Sequence, residues 1–207
     1  MTVIAIDGPA GSGKSTVARA VAQRLGLAYL DTGAMYRSIA YAALQNGVDT
    51  ADAEATAALA KTTHVYVGPD GVFVDGNDAT EAIRSEEVTK AVTAVASNSA
   101  VREVMVERQR TWITTNGGGV LEGRDIGTVV CPDADVKVYL IADPNVRAQR
   151  RAAEQNEAVA NDMARRDQAD STRAVSPLMR ADDAAEIDTT NLSIDDVVDV
   201  VIGLVPA

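Results

Sequence analysis

The chain is poor in the residues that most often advertise a chemistry. Its 207 residues include one cysteine, Cys131, and one histidine, His64. A lone cysteine closes no disulfide within the chain, and one Cys with one His builds no Cys/His zinc cluster. Both are expected as packing or surface residues, and Trp112 and Tyr36 as packing residues. Aromatics make up only 3% of a sequence that is 46% apolar, so the core must be built from Ala, Val, Ile and Leu. That suits a Val-rich parallel sheet covered by Ala-rich helices. Positive charge is also scarce. A net charge of −11 excludes the broad basic surface of a protein that coats nucleic acid, but not a locally basic pocket. Fifteen of the basic residues are Arg and four are Lys, which favours planar, forked phosphate recognition. No apolar run is long enough for a membrane span. The opening MTVIAIDGPAGSGKS lacks a basic leader, so a cytoplasmic location is expected.

The length suits one domain with a small insertion, without repeats or low-complexity tracts. Val3 to Ile6 reads as a buried strand and Ser15 to Leu25 as a helix stopped by Gly26. Leu27 to Leu30 reads as a second strand, and Ala34 to Leu44 as a helix ended by Asn46-Gly47. Strand, helix, strand, helix points to a parallel α/β sheet. Residues 64–67 and 72–74 then form a hairpin pattern across Gly68-Pro-Asp-Gly71, foreign to a run of βαβ units. Roughly 62–85 is therefore expected to be part of an inserted subdomain on the substrate side. Glu86 to Trp112 reads as helix with a break near Ser97-Asn98-Ser99, and Asn116 to Gly119 as a flexible loop into a strand at Val120-Leu121. Val136 to Ile141 and Glu186 to Asp188 read as further strands, and Ser193 caps a closing helix over Val197 to Leu204. Residues 145–173 are polar and Arg-rich with no evident core face, and are expected to be exposed and mobile.

One segment carries explicit chemistry. Gly8-Pro9-Ala10-Gly11-Ser12-Gly13-Lys14-Ser15 fits G-x-x-x-x-G-K-[ST] at every fixed position, between a strand and a helix. Glycines let the backbone wrap a phosphate with its N–H groups turned inward, and the helix brings its positive end to the same point. Lys14 would reach the β- and γ-phosphates of a nucleoside triphosphate, and Ser15 would bind Mg²⁺. Two classes of protein use such a loop: kinases of small molecules and GTP-driven switches. The switch signatures D-x-x-G and N-K-x-D are both absent. The hairpin and the polar segment suit a kinase, which must close over two substrates to exclude water. Arg37 and Arg124 each follow a strand, where ligands collect in such sheets. Arg166, Asp170 and Arg173 are spaced to share one face of a helix, and Arg147, Arg150 and Arg151 have near-helical spacing. At least one of the latter three is expected to reach the ATP phosphates. Other monophosphates, such as UMP or AMP, and small hydroxylated metabolites remain open as acceptors.

The chain resembles the bacterial cytidylate kinases of the nucleoside monophosphate kinase superfamily. The matching segments are IDGPAGSGKST (6–16), LDTGAMYR (30–37), VDGNDATEAIRSEEV (74–88), VRE (101–103), EGRDIGTVVCPDADVKVYL (122–140), RRDQADSTRAVSPL (165–178) and IDTTNLSIDDVV (187–198). The resemblance implies a P-loop kinase fold with a five-stranded parallel sheet, an inserted β-containing subdomain that binds the monophosphate, and a short lid. It divides the single domain, 1–207, into a core of about 1–34, 113–143 and 174–207, a monophosphate-binding region of about 35–112 and a lid of about 144–173. It implies phosphoryl transfer from ATP with Mg²⁺ to CMP and dCMP by a monomer that binds neither nucleic acid nor membrane. Residues Gly8 to Thr16 then hold ATP. Arg37, Arg124 and Arg173 hold the acceptor phosphate, Thr32, Arg102 and Asp125 read the cytosine, and Arg166 and Asp170 lie near the ribose. Thr93 stands where the family often has Ser.

Overall fold

The computed structural model describes residues 1–155 and 159–206, and for 151–155, 159–164 and 166 the backbone alone. The chain divides into two compact units, Met1–Tyr29 with Ile113–Ala207, and Leu30–Trp112.

The first unit is built on β1 (Thr2–Asp7), whose Ile4, Ala5 and Ile6 are fully buried. It runs between β6 (Gly118–Gly123) and β7 (Val136–Ile141), with Ile4 opposite Val120 on one side and Val136 on the other. With β2 (Tyr29–Asp31) and β8 (Ala185–Asp188) the parallel sheet has the order β2-β6-β1-β7-β8. A central strand covered on both faces needs a continuous apolar run, which explains why β1 is legible. Helix α1 (Lys14–Leu25) lays Val17, Ala18, Val21 and Ala22 on this sheet, and α8 (Ile194–Gly203) adds Val197, Val198 and Val201. Each fully buried Val or Ile contributes about 1.5–3 kcal/mol. Gly26 ends α1 in the left-handed conformation, and Ser193 with Asp196 forms a capping box at the start of α8.

One stretch of this unit differs from the sequence-based expectation. Gly118 and Gly119 are not loop but the first residues of β6, paired with Thr2 and Val3. Gly118 has φ +116, and a Cβ on it would lie 2.3 Å from the Thr2 carbonyl oxygen, so the glycine serves close strand approach. The polar segment after β7 forms two helices, α6 (Pro144–Gln155) and α7 (Val159–Thr172).

The second unit holds an antiparallel sheet of β3 (Val65–Gly68), β4 (Gly71–Val74) and the short β5 (Asn77–Asp78), which extends the expected hairpin by one strand. Helix α2 (Thr32–Gln45) starts where the Asp31 carboxylate accepts the Ala34 N–H. Ala34 and Ala42 of α2 pack with Val72, Val74, Ala79 and Ile83. Helix α3 (Ala53–Thr62), capped by Asp52, was not expected, because its buried face is made only of Thr56, Ala57 and Ala60. Helices α4 (Glu86–Ser97) and α5 (Ser99–Asn116) meet at the expected break, where Asn98 Oδ1 accepts the N–H groups of Ala100 and Val101.

Candidate active site

The loop from β1 to α1 is curled by glycines in conformations other residues avoid. Gly11 and Gly13 have φ +72 and +91, and a Cβ on Gly8 would lie 2.2 Å from the Leu140 carbonyl oxygen. The first turn of α1 leaves its N–H groups without helical partners at the end of this loop. Lys14 is buried and its Nζ folds back to donate to the Pro9 carbonyl at 2.7 Å. Ser15 and Thr16 stand exposed on the first turn of α1. Ser12 is fully buried.

A cluster of charges surrounds Lys14. Burial, and next the Arg124 guanidinium, push its ammonium down to about 7, against the pull of Glu122, Asp167 and Asp7. Asp7 closes β1 with a buried carboxylate that accepts the Ile126 N–H at 2.9 Å and the Gly127 N–H at 2.7 Å. Burial raises its carboxyl to about 6, against those two hydrogen bonds. The two bonds pin a π-type turn, Ile126–Val130, directly after Arg124 and the buried Asp125. Glu122, also buried, accepts the Tyr29 hydroxyl at 2.8 Å. Arg124 donates from Nε to Asp170 at 2.9 Å, and Arg173 lies 3.7 Å from the other oxygen of the same carboxylate. Burial opposes the Arg124 charge, but Asp170, Asp167 and Glu122 outweigh it and raise its pKa. Arg124, Asp170 and Arg173 are thus one group. Arg173 follows the end of α7 rather than sharing its face. The Arg166 and Arg151 side chains lie outside the described residues.

In the second unit, Thr32 opens α2 and is buried. Arg37, further along α2, donates from Nη1 to the Ile83 carbonyl at 3.0 Å and to the Thr89 hydroxyl at 2.9 Å. Arg102 is buried near the start of α5, with its guanidinium 5.2 Å from the Tyr36 ring centroid and Nη1 on the Ala96 carbonyl at 3.2 Å. Thr93 lies on α4 one turn beyond Thr89.

The family model for cytidylate kinase matches residues 4–207. The chain is 51% identical to the cytidylate kinase of Geobacillus sp. (strain WCH70), covering 98% of this chain and 95% of that one. It is 50% identical to that of Bacillus subtilis (strain 168), covering 95% and 92%.

The chain belongs to the cytidylate kinase family.

As a cytidylate kinase it is a nucleoside monophosphate kinase, a transferase that phosphorylates CMP and dCMP. The fold agrees with solved P-loop kinases. Shikimate kinase from Acinetobacter baumannii in complex with shikimate superposes with a TM-score of 0.51 at 16% identity, over 99% of this chain and 92% of that chain. In this cytidylate kinase the structure also brings forward residues the sequence did not single out. They are Asp7, Glu122 and Asp167 around Lys14, Thr89 beside Arg37, and Thr189 behind the loop. Asp7 sits next to the motif and Thr89 one turn before Thr93 on α4, but neither spacing reveals the partner.

Mg²⁺ is implied by phosphoryl transfer from ATP, and the residues present fit it. Among the described residues no three acidic, Cys or His side chains converge into a metal cage. The exposed Ser15 hydroxyl beside the phosphate loop would suit an ion held largely by nucleotide oxygens and water.

Proposed function

We propose that the glycine loop, Gly8 to Thr16, holds ATP with Mg²⁺, and that CMP or dCMP accepts the γ-phosphoryl to give CDP or dCDP and ADP. The observation that carries this is the loop itself: left-handed Gly11 and Gly13 at the start of α1, with the buried Lys14 ammonium drawn across onto Pro9. A triphosphate displaces that carbonyl contact and gives Lys14 an anionic partner. Ser15 would hold Mg²⁺, which would supply charge neutralisation on the phosphates.

Arg37, Arg124 and Arg173 are proposed to take the acceptor phosphate. Thr32, Arg102 and Asp125 are proposed to read the base, and Asp170 and Arg166 the ribose. Thr93 is proposed to line the acceptor site. An oxygen of the monophosphate attacks the γ-phosphorus in line, the new P–O bond forms, and the bond to ADP breaks. A monophosphate is mostly dianionic at neutral pH, so no protein base is needed. Positioning and charge stabilisation supply the rate. In domain terms, about 35–112 is the monophosphate-binding region and about 144–173 the lid of one kinase domain. The enzyme is proposed to work as a cytoplasmic monomer without nucleic-acid partners. No described helix is long and apolar enough to cross a membrane.

Coupled ADP release with ATP, Mg²⁺ and a panel of CMP, dCMP, UMP, AMP and GMP tests the proposal. Rapid turnover is expected with CMP and dCMP. Equal turnover with AMP or GMP, or ADP release that ignores the acceptor, would overturn it.

A further inference from the structure

The backbone of the phosphate loop is held by side chains from other elements. The Ala10 carbonyl accepts from Arg147 Nη1 at 3.1 Å, and the Ala10 N–H donates to Asp167 Oδ1 at 3.0 Å. Arg147 belongs to α6 and Asp167 to α7, and they pair with each other through Nη1 and Oδ2. Their side chains are only 14% and 16% exposed. Arg147 Nε also holds the Ala142 carbonyl at 3.2 Å, and a Cβ on Gly11 would lie 2.8 Å from the Arg147 carbonyl oxygen. One turn further, Arg150 donates to the hydroxyl and the carbonyl of Thr189 at 2.9 and 2.7 Å. The Thr189 hydroxyl donates in turn to the Ser12 carbonyl at 3.1 Å.

A phosphate loop works only if its N–H groups point at the anion and its carbonyls point away. Carbonyls turned away into a protein interior need donors of their own. Arg147 and Thr189 are such donors. Asp167 is a more telling choice, because a carboxylate so near a polyanion site opposes ATP unless it serves another purpose. Here it takes one amide of the loop and neutralises Arg147. We propose that Asp167 and Arg147 are positioning residues, a clip that grips both polar groups of the Ala10 backbone and sets the loop for ATP without touching the transferred phosphoryl group. Arg147 is then committed to the loop backbone and Arg150 to Thr189, a different task from the expected contact with ATP phosphates. The inference rests on the loop being the ATP site.

The test is calorimetric binding of ATP·Mg²⁺ to the full chain without CMP, together with KM for both substrates. The variants are Asp167→Ala, Asp167→Asn, Arg147→Ala and the double Ala variant. Each single Ala variant is expected to weaken ATP about tenfold, as for loss of one charge-assisted hydrogen bond, and Arg147→Ala to keep KM for CMP within about twofold of wild type. The double variant should be little worse than either single, since removing one partner strands the other charge. Asp167→Asn keeps an acceptor for the Ala10 N–H and should recover part of the affinity. Unchanged ATP affinity, additive effects in the double variant, or a parallel rise in KM for CMP in Arg147→Ala would overturn the clip. If Asp167→Ala does not fold, Asp167→Asn decides: several-fold weaker ATP binding supports the clip and wild-type affinity refutes it. Absence of ATP binding by the wild type would strike the loop assignment instead.

Discussion

Lys14 meets two opposing demands. Burial and the neighbouring Arg124 disfavour its charge, while the triphosphate it is proposed to receive requires that charge. Free enzyme at pH 8, above the lowered value of about 7, therefore holds Lys14 largely neutral. ATP restores the charged form, so binding at pH 8 takes up most of a proton, and less as pH falls below 7. Calorimetry in buffers of different ionisation enthalpy measures this uptake, and Lys14→Ala should abolish it. The same variant should lower kcat by about a hundredfold or more, the scale of losing one preorganised electrostatic contact. Steady-state turnover at saturating CMP checks that. Arg37, proposed to hold the acceptor phosphate, is held by Thr89 and the Ile83 carbonyl. Arg37→Ala should cut kcat/KM for CMP about a hundredfold or more while KM for ATP barely moves, as initial rates at varied CMP and varied ATP would show.

Elements carry the site by where they end. β1 and β6 lie side by side with Asp7 opposite Gly123 and Ile6 opposite Glu122, so parallel pairing delivers both buried carboxylates to the same edge as the phosphate loop. That register depends on Gly118, where β6 presses against Thr2. Gly118→Ala would place its Cβ 2.3 Å from the Thr2 carbonyl oxygen at a left-handed φ of +116. A loss of about 2 kcal/mol or more is expected, read as a lower urea midpoint at unchanged slope. In the second unit the three carbonyls of Ala60, Lys61 and Thr63 at the end of α3 all accept from Arg108 of α5. An unexpected helix is thus closed by a residue more than forty positions away.

For the whole molecule, a ligand that binds only the folded state stabilises it by mass action. ATP·Mg²⁺ at a hundred times its Kd should add about 2.7 kcal/mol. For a chain of this size that is a rise in Tm of about 5–10 °C. Scanning calorimetry with and without nucleotide measures it, and Lys14→Ala should lose most of the shift. The net charge of −11 does not by itself exclude a nucleotide, because the cations proposed to receive it, Lys14, Arg124 and Arg173, are held in place in the first unit by acidic partners such as Asp170 and Glu122. A protein can repel polyanions as a body and still receive a nucleotide.

Much of this was readable along the chain because the signals are local. The apolar run of β1, the glycine loop, Gly26 after α1 and Ser193 before α8 each act within a few residues, and their backbone consequences follow from sterics and capping alone. Arg37 and Arg124 were singled out by their places after strands, but the roles proposed for them and for the base-reading residues came only through resemblance, since an isolated arginine carries no address. What remained hidden is what the chain joins over long separations. The Asp7 bond to Gly127 spans 120 residues and the Asp167 bond to Ala10 spans 157. Gly118 read as loop because its reason for being glycine, the Thr2 carbonyl, belongs to another strand. Periodicity and motif spacing report forces between near neighbours. Which buried carboxylate meets which backbone N–H is settled by packing, after the sheet has brought distant segments into contact.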